Sequence, residues 1–140
     1  MGAYDVETVS VDGRVTAVGS AGAFTLVVDR PVEGGGGGKG FNGGQLLNLA
    51  VAGCISNDLF REARRLGIDL RRVRVTADSD YTGDPMVSTP INYDLELEGD
   101  ASEDDLRSLA ELVDRIAEIP NSLRGATEVR LNATTIAPRA

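Results

Sequence analysis

A stretch of ten mostly apolar residues, 46–55, follows a glycine-rich tract, 34–40, and constrains the fold more than any other feature. Its sequence is LLNLAVAGCI, so a helix formed here carries apolar side chains on almost every face. The pattern predicts a helix of about twenty residues that begins near Gly44 and that Gly67 ends. Because this segment has no polar face, we expect the first half of the helix to be buried on several sides.

Strand patterns surround this helix. Six segments alternate in the manner of β-strands: 4–11, 14–18, 24–28, 71–80, 91–98 and 127–135. Asp12-Gly13 is a hairpin signal between the first two. Before the last strand, a 3.6-residue apolar stripe predicts a helix that Ser102 caps and Pro120 stops. The order βββ-α-ββ-α-β predicts an α+β fold, which we interpret as one domain, residues 1–140, with a flexible glycine-rich loop at 34–40.

The composition narrows the classes of function. The chain has 140 residues, a net charge of −8 and no histidine. The absence of histidine excludes Ser-His and Cys-His catalysis and histidine-ligated metals, and we expect no metal and no cofactor. The acidic charge disfavours nucleic acid as a partner, and no apolar run is long enough to span a membrane. A single cysteine, and an N-terminus without the pattern of a signal peptide, favour a cytoplasmic location.

Cys54 is the only cysteine and the first candidate for chemistry. A lone cysteine in an apolar helix is often a small core residue, so a structural and a reactive role both remain open. Asn57, Asp58 and Arg61 follow on roughly the same helical face. Asn57 can donate a hydrogen bond to the sulfur, whereas Asp58 opposes a thiolate unless Arg61 or another cation neutralises it. The polar residues either line a pocket or solvate the point where the helix emerges.

The sequence GFNGGQLL at residues 40–47, followed by AGC at residues 52–54, resembles the signature GxNPExLL…C of the osmotically inducible protein C family. This family includes the organic hydroperoxide resistance proteins. The predicted element order and the spacing from Asn42 to Cys54 are also similar to the family pattern. The resemblance implies an OsmC/Ohr-like fold and an intertwined homodimer. It also implies reduction of organic hydroperoxides by a cysteine pair that an arginine and a glutamate assist.

Departures from the family pattern change what the resemblance implies for activity. Gly44 stands where the family has its glutamate, and Ile119 stands where it has its second cysteine. Arg14 and Arg30 are both candidates for the arginine, because branches of the family supply it from different positions. Cys54 is the family residue that is kept, so a mechanism with two cysteines is not available to this chain.

The first hypothesis is an enzyme. Cys54 attacks a hydroperoxide and becomes a sulfenic acid, which an external thiol reductant must then reduce. Arg14 or Arg30 stabilises the thiolate and the departing oxyanion. An apolar pocket lined by residues such as Phe41 and Leu47 favours alkyl peroxides.

The second hypothesis is a binding protein without catalytic activity. The fold would hold a small apolar or amphipathic ligand at the dimer interface, with Asn42, Asn57 and Asp58 as polar contacts. Under both hypotheses we expect a homodimer, because one chain has too little surface to cover the helix at 46–55. The N-terminal strands would pair with the partner, and each site would combine Cys54 with an arginine of the other chain.

Overall fold

Eight strands and three α-helices occur in residues 2–138, the part of the chain that this computed structural model describes. In chain order they are β1 (Glu7–Ser10), β2 (Ala17–Ala21), β3 (Phe24–Val28), α1 (Gly43–Arg65), β4 (Asp69–Asp78), β5 (Tyr81–Thr82), β6 (Val87–Ser88), β7 (Ile91–Asp100), α2 (Glu103–Ile116), α3 (Glu118–Leu123) and β8 (Val129–Ile136). The chain forms two compact units, one ending at Leu47 and the other beginning at Asn48, so the boundary lies within α1. The interpretation of the chain as one folding domain stays a prediction.

The first unit contains an antiparallel sheet in the order β1-β2-β3, which confirms the predicted N-terminal meander. Asp12 and Gly13 turn the first hairpin with φ angles of 47° and 69°. The returning strand begins at Ala17, later than predicted, because the preceding residues close the turn. The N–H of Val11 donates to the carbonyl of Thr16 at 2.9 Å.

This meander buries little of its own apolar surface. Among its strand residues only Gly19 is buried. Its exposed apolar side chains include Val9, Val18, Phe24, Leu26 and Val27. Such a surface is what the predicted pairing with a partner's strands would cover, and that pairing stays a prediction.

The glycine-rich tract is folded around the buried carboxylate of Asp29. Its Oδ1 accepts hydrogen bonds from the backbone N–H groups of Arg30 at 2.7 Å and Gly37 at 3.1 Å. Its Oδ2 accepts from the hydroxyl of Thr16 at 2.8 Å and from the N–H of Lys39 at 3.1 Å. Burial raises the pKa of Asp29, but these hydrogen bonds outweigh it and bring the pKa below its ordinary value. The loop predicted to be flexible thus has a defined backbone path, and its mobility stays a prediction.

Two glycines of this segment are required by close backbone contact. A Cβ at Gly36 would overlap the carbonyl of Arg30, and a Cβ at Gly40 would overlap the carbonyl of Val27. The second contact lets Phe41 lie beside β3, where its N–H donates to Val27 at 3.0 Å. The glycines therefore bring the chain back to β3 immediately before α1 begins.

The ends of α1 follow the sequence signals. Asn42 caps the start, because its side-chain oxygen accepts from the N–H of Gln45 at 2.8 Å while the Gln45 side chain accepts from the N–H of Asn42 at 3.0 Å. Gly67, with a φ of 69°, follows the last turn, and the N–H of Ile68 donates back to Ala63 at 2.8 Å. The predicted helix is confirmed.

The apolar spacing in the second half of α1 predicts a buried stripe of Ile55, Leu59, Phe60, Ala63 and Leu66, with Asp58 and Glu62 on other faces. The buried face of α1 differs from this predicted stripe. Its buried residues are Val51, Ile55, Asp58, Leu59, Glu62 and Ala63. The sequence places Phe60 and Leu66 on this stripe, but they are exposed. Asp58 and Glu62 can occupy it because each has an arginine partner three residues further along the helix. Leu49 is 48% exposed, so the surface that a partner was expected to cover is open in the single chain.

The second unit is built on a sheet in the order β4-β7-β8, with β4 antiparallel and β8 parallel to β7. Alternate residues of β7 are buried: Ile91, Tyr93, Leu95 and Leu97. The apolar face of α2 is buried as predicted and consists of Leu106, Leu109, Ala110 and Val113. The predicted cap is confirmed, because the hydroxyl of Ser102 accepts from the N–H of Asp105 at 3.1 Å.

Two details of this unit depart from the predicted pattern. The alternation in the last strand places Val129, Leu131 and Ala133 on one face, but the register shifts after Leu131, so Ala133 pairs with Asp94 on the opposite face. Pro120 is predicted to stop the second helix, but α2 already ends at Ile116. Pro120 is the third residue of α3, where an α-helix does not need its missing N–H. Within residues 2–138, no helix is both long and apolar enough to cross a bilayer.

Candidate functional site

Cys54 lies in the middle of α1 and is partly exposed rather than part of the core. Its Sγ lies 3.7 Å from Oε2 of Glu118 and 3.9 Å from Oδ2 of Asp58, within the longer hydrogen-bonding range of a thiol. Asp58 is four residues further along α1 and therefore on the same face, whereas Glu118 is the first residue of α3. The only thiol of the chain thus faces two carboxylates.

Arg61 joins the two carboxylates from the side away from the sulfur. Its guanidinium lies 3.2 Å from Oδ1 of Asp58 and 3.6 Å from Oε1 of Glu118. The oxygens that face Cys54 are the other oxygen of each carboxylate. The Asp58 side chain is 7% exposed and that of Glu118 is 67% exposed, so one carboxylate is buried and the other is in contact with water.

A partly buried polar network holds the end of α3. The guanidinium of Arg124 donates to the backbone carbonyl of Asp114 at 2.7 Å and to its Oδ1 at 2.8 Å. It also donates to the carbonyl of Val129 at 3.0 Å and 3.1 Å. The hydroxyl of Tyr93 donates to the same Oδ1 of Asp114 at 2.6 Å. This network ties the end of α3 to α2, β7 and β8, and thereby helps to hold Glu118 beside the thiol.

The surroundings of Cys54 favour its protonated form. Burial raises the pKa of the thiol above its ordinary value of 9.0. The backbone N–H of Ile119 hydrogen-bonds to the sulfur and lowers the pKa, but the negative charges of Asp58 and Glu118 raise it. Within its own chain, Cys54 is therefore a thiol rather than a thiolate at neutral pH.

The two carboxylates titrate differently. Burial raises the pKa of Asp58, and the charge of Arg61 only partly opposes that effect. The hydrogen bond from its own backbone N–H lowers the pKa of Glu118, and Arg61 adds to the lowering. The pKa values of the two carboxylates are thus shifted in opposite directions, and Asp58 is the one that is shielded from water.

A thiol and two carboxylates are also possible donors for a metal ion. The Sγ of Cys54 and one oxygen each of Asp58 and Glu118 lie within 4.8 Å of one another. Arg61, however, already supplies a positive charge to both carboxylates. We therefore treat the group as a thiol site with acid–base partners.

The structure brings two of the predicted site residues together, Cys54 and Asp58. Asn57 is exposed. Arg61, which the sequence offers as the cation that neutralises Asp58, is ion-paired with that carboxylate. The roles of all these residues in binding or catalysis stay predictions.

The other predicted site residues belong to the unit that ends at Leu47: Arg14, Arg30, Phe41, Asn42 and Leu47. Their roles at the thiol stay predictions as well. The side-chain oxygen of Asn42 caps α1, which gives that residue a structural role. An apolar cavity of about 260 Å³ lies within this unit, but Phe41 and Leu47 are not among its lining residues.

Glu118 is the site residue that the sequence analysis misses. The available signal is its position directly before Ile119, which stands where the family's second cysteine is expected. The hydrogen bond from the Ile119 N–H to the sulfur places this position beside Cys54. The residue before it could therefore have been predicted as a neighbour of the thiol.

Comparisons with known proteins concern the chain as a whole. No curated protein matches the sequence significantly. Among solved structures, the OsmC-like protein from Mycoplasma pneumoniae has a TM-score of 0.82 and 19% identity, over 98% of this chain and 99% of that chain.

Two further solved structures carry more specific descriptions. An organic hydroperoxide resistance protein OsmC from Legionella pneumophila has a TM-score of 0.69 and 20% identity, over 96% of this chain and 99% of that one. The organic hydroperoxide resistance protein OhrB of Bacillus subtilis has a TM-score of 0.65 and 16% identity, over 94% and 98%. At these identities the likeness shows the α+β fold alone. The sequence model of the OsmC-like protein family matches residues 36–132, and the chain therefore belongs to that family.

Proposed function

We propose that this protein reduces organic hydroperoxides with Cys54 as its only reacting thiol and an external thiol as reductant. The observation that carries the proposal is the environment of the sulfur. An inert core cysteine is enclosed by apolar side chains, whereas Cys54 is partly exposed and faces Asp58, Glu118 and, behind them, Arg61. Two of the similar structures are named organic hydroperoxide resistance proteins, which supports the same class of substrate.

The chemistry needs one thiol in the protein and two from the reductant. The sulfur of Cys54 attacks the terminal oxygen of the hydroperoxide, the S–O bond forms and the O–O bond breaks. The thiol proton goes to the departing alkoxide, so the products are a sulfenic acid and an alcohol. Two external thiols, or one dithiol, then reduce the sulfenic acid to the thiol and release water and a disulfide. No second cysteine of the chain can take part, because Ile119 stands at the corresponding position.

Peroxide consumption with a dithiol reductant tests the proposal. We expect cumene hydroperoxide to be consumed by the unmodified protein and not by Cys54→Ser. Glu62→Gln is the matched control, because Glu62 is a buried carboxylate of α1 that pairs with Arg65. Intact mass after treatment with peroxide alone should show one added oxygen. Equal consumption by the unmodified protein and Cys54→Ser would refute the proposal.

Binding of a small apolar ligand is the second candidate, and one observation favours it. The first unit contains a cavity of about 260 Å³ that is lined mainly by apolar residues, including Val6, Phe24, Leu26, Val28 and Leu46. Native mass spectrometry of protein purified from cells would reveal a ligand carried there. A bound apolar molecule, together with no oxygen added to Cys54 by peroxide, would favour this function over peroxide reduction.

A further inference from the structure

Resting on the proposed function, we propose that Asp58 is the residue that accepts the thiol proton when Cys54 attacks the hydroperoxide. The sulfur has two carboxylates within reach, Oδ2 of Asp58 at 3.9 Å and Oε2 of Glu118 at 3.7 Å. Distance alone does not separate them. The two carboxylates differ in solvent exposure, because Asp58 is buried on the same helix as the thiol, whereas Glu118 is largely exposed.

Arg61 fixes the orientation that this role requires. It binds Oδ1 of Asp58 at 3.2 Å, which leaves Oδ2 directed at the sulfur. A buried, oriented carboxylate has little competition from water for the proton, and it meets the thiol at one defined oxygen. The raised pKa of Asp58 acts in the same direction, because burial makes the carboxylate a better proton acceptor than an ordinary aspartate.

In the proposed step, the Cys54 sulfur forms its bond to the terminal oxygen of the hydroperoxide while the thiol proton moves to Oδ2 of Asp58. The O–O bond breaks, and the departing alkoxide takes the proton from Asp58 and leaves as the alcohol. The sulfur is oxidised by two electrons and the hydroperoxide is reduced by two. Asp58 returns to its ionised form, so the step needs no other reactant. A thiol whose pKa is raised can thus react at neutral pH without first becoming a free thiolate.

Two reactions of the same sulfur separate this role from a purely electrostatic one. Alkylation by iodoacetamide needs the thiolate and no proton acceptor, so its rate should rise about tenfold per pH unit below the thiol pKa. Peroxide reduction assisted by Asp58 should depend much less on pH between 6 and 8. In Asp58→Asn a negative charge is lost, so alkylation should become faster, while peroxide reduction should slow by about a hundredfold.

Controls cover other carboxylates. Glu128→Gln, which removes an exposed carboxylate that pairs with Arg130, should leave both rates unchanged. Glu118→Gln, at an exposed position that should tolerate the change, should raise both rates, because it removes only a negative charge near the sulfur.

Several results would overturn the inference. If both rates rise in Asp58→Asn, Asp58 only opposes the thiolate and accepts no proton. If instead Glu118→Gln shows faster alkylation with slower peroxide reduction, Glu118 is the acceptor, and this result decides the matter even where Asp58→Asn fails to fold. If the unmodified protein shows no peroxide reduction that depends on Cys54, the proposed function fails and this inference fails with it.

Discussion

Replacing Tyr93 by phenylalanine tests the network that holds α3, and with it Glu118, beside the thiol. The substitution removes one hydroxyl from a side chain that is 1% exposed and leaves the packing of the ring unchanged. The lost contact is the 2.6 Å hydrogen bond to Oδ1 of Asp114. Asp114, whose side chain is partly exposed, keeps its bond from Arg124 at 2.8 Å, so its charge is not left without a partner.

The expected loss of stability can be estimated from the type of hydrogen bond that is removed. A hydrogen bond to a charged acceptor contributes about 1.5–3 kcal/mol, and the retained bond to Arg124 favours the lower part of that range. We therefore expect Tyr93→Phe to lower the free energy of unfolding by about 2 kcal/mol. Tyr81→Phe is the matched control, because Tyr81 is 41% exposed, and it should change the free energy by less than about 0.5 kcal/mol.

Urea unfolding at equal protein concentration is the appropriate assay, since an assembly would make stability depend on concentration. The effect should also depend on pH. Burial and then the hydrogen bond to Asp114 raise the pKa of Tyr93 in the folded protein. Its contribution is therefore complete below the unfolded pKa of about 10 and declines as the pH rises above that value. Equal stability of Tyr93→Phe and Tyr81→Phe at neutral pH would refute the reasoning.

Two further predictions concern position 119, where the family has its second cysteine, and the assembly of the chain. The Ile119 N–H contacts the Cys54 sulfur, so a cysteine at position 119 would lie beside the thiol. Peroxide treatment of Ile119→Cys should therefore give an internal disulfide instead of a sulfenic acid, and intact mass should show a loss of two hydrogens in place of a gain of one oxygen. A gain of one oxygen without the disulfide would contradict this prediction. The N-terminal meander and Leu49 expose apolar surface, which a second copy of the chain would cover. Light scattering at low micromolar concentration should therefore give twice the 14.7 kDa chain mass, and a stable folded monomer would contradict the expected homodimer.

The sequence predicts the elements well where local signals determine them. Asn42 and Gly67 lie at the ends of α1, and Ser102 caps α2, because these residues act through backbone groups a few positions away. The burial of Asp58 and Glu62 is different in kind. It depends on arginines one turn further along α1 and on the packing of the whole unit, so the apolar periodicity alone assigned them to the polar face.

The composition of the site could be predicted only in part for a similar reason. The helical spacing brings Asp58 and Arg61 to the face of Cys54, and this could be deduced from the sequence. Glu118 is distant from Cys54 in sequence and reaches it only because α3 follows α2 so closely and is held by Arg124. The one-residue shift in β8 that moves Ala133 to the other face is likewise a property of strand pairing that alternation does not encode.

The charge balance at Cys54 indicates what an assembled site would have to add. Among the described residues, Arg61 is the cation paired with the two carboxylates at the thiol, and burial together with their negative charges raises the pKa of Cys54. A second guanidinium, from Arg14 or Arg30 of a partner as the resemblance implies, would offset one of the negative charges and lower that pKa. The pH midpoint of the alkylation rate therefore shows whether a second guanidinium lies near the thiol. A raised midpoint that neither Arg14→Met nor Arg30→Met changes would show that neither arginine acts at the thiol. A lower midpoint that one of these substitutions raises would identify the arginine that acts.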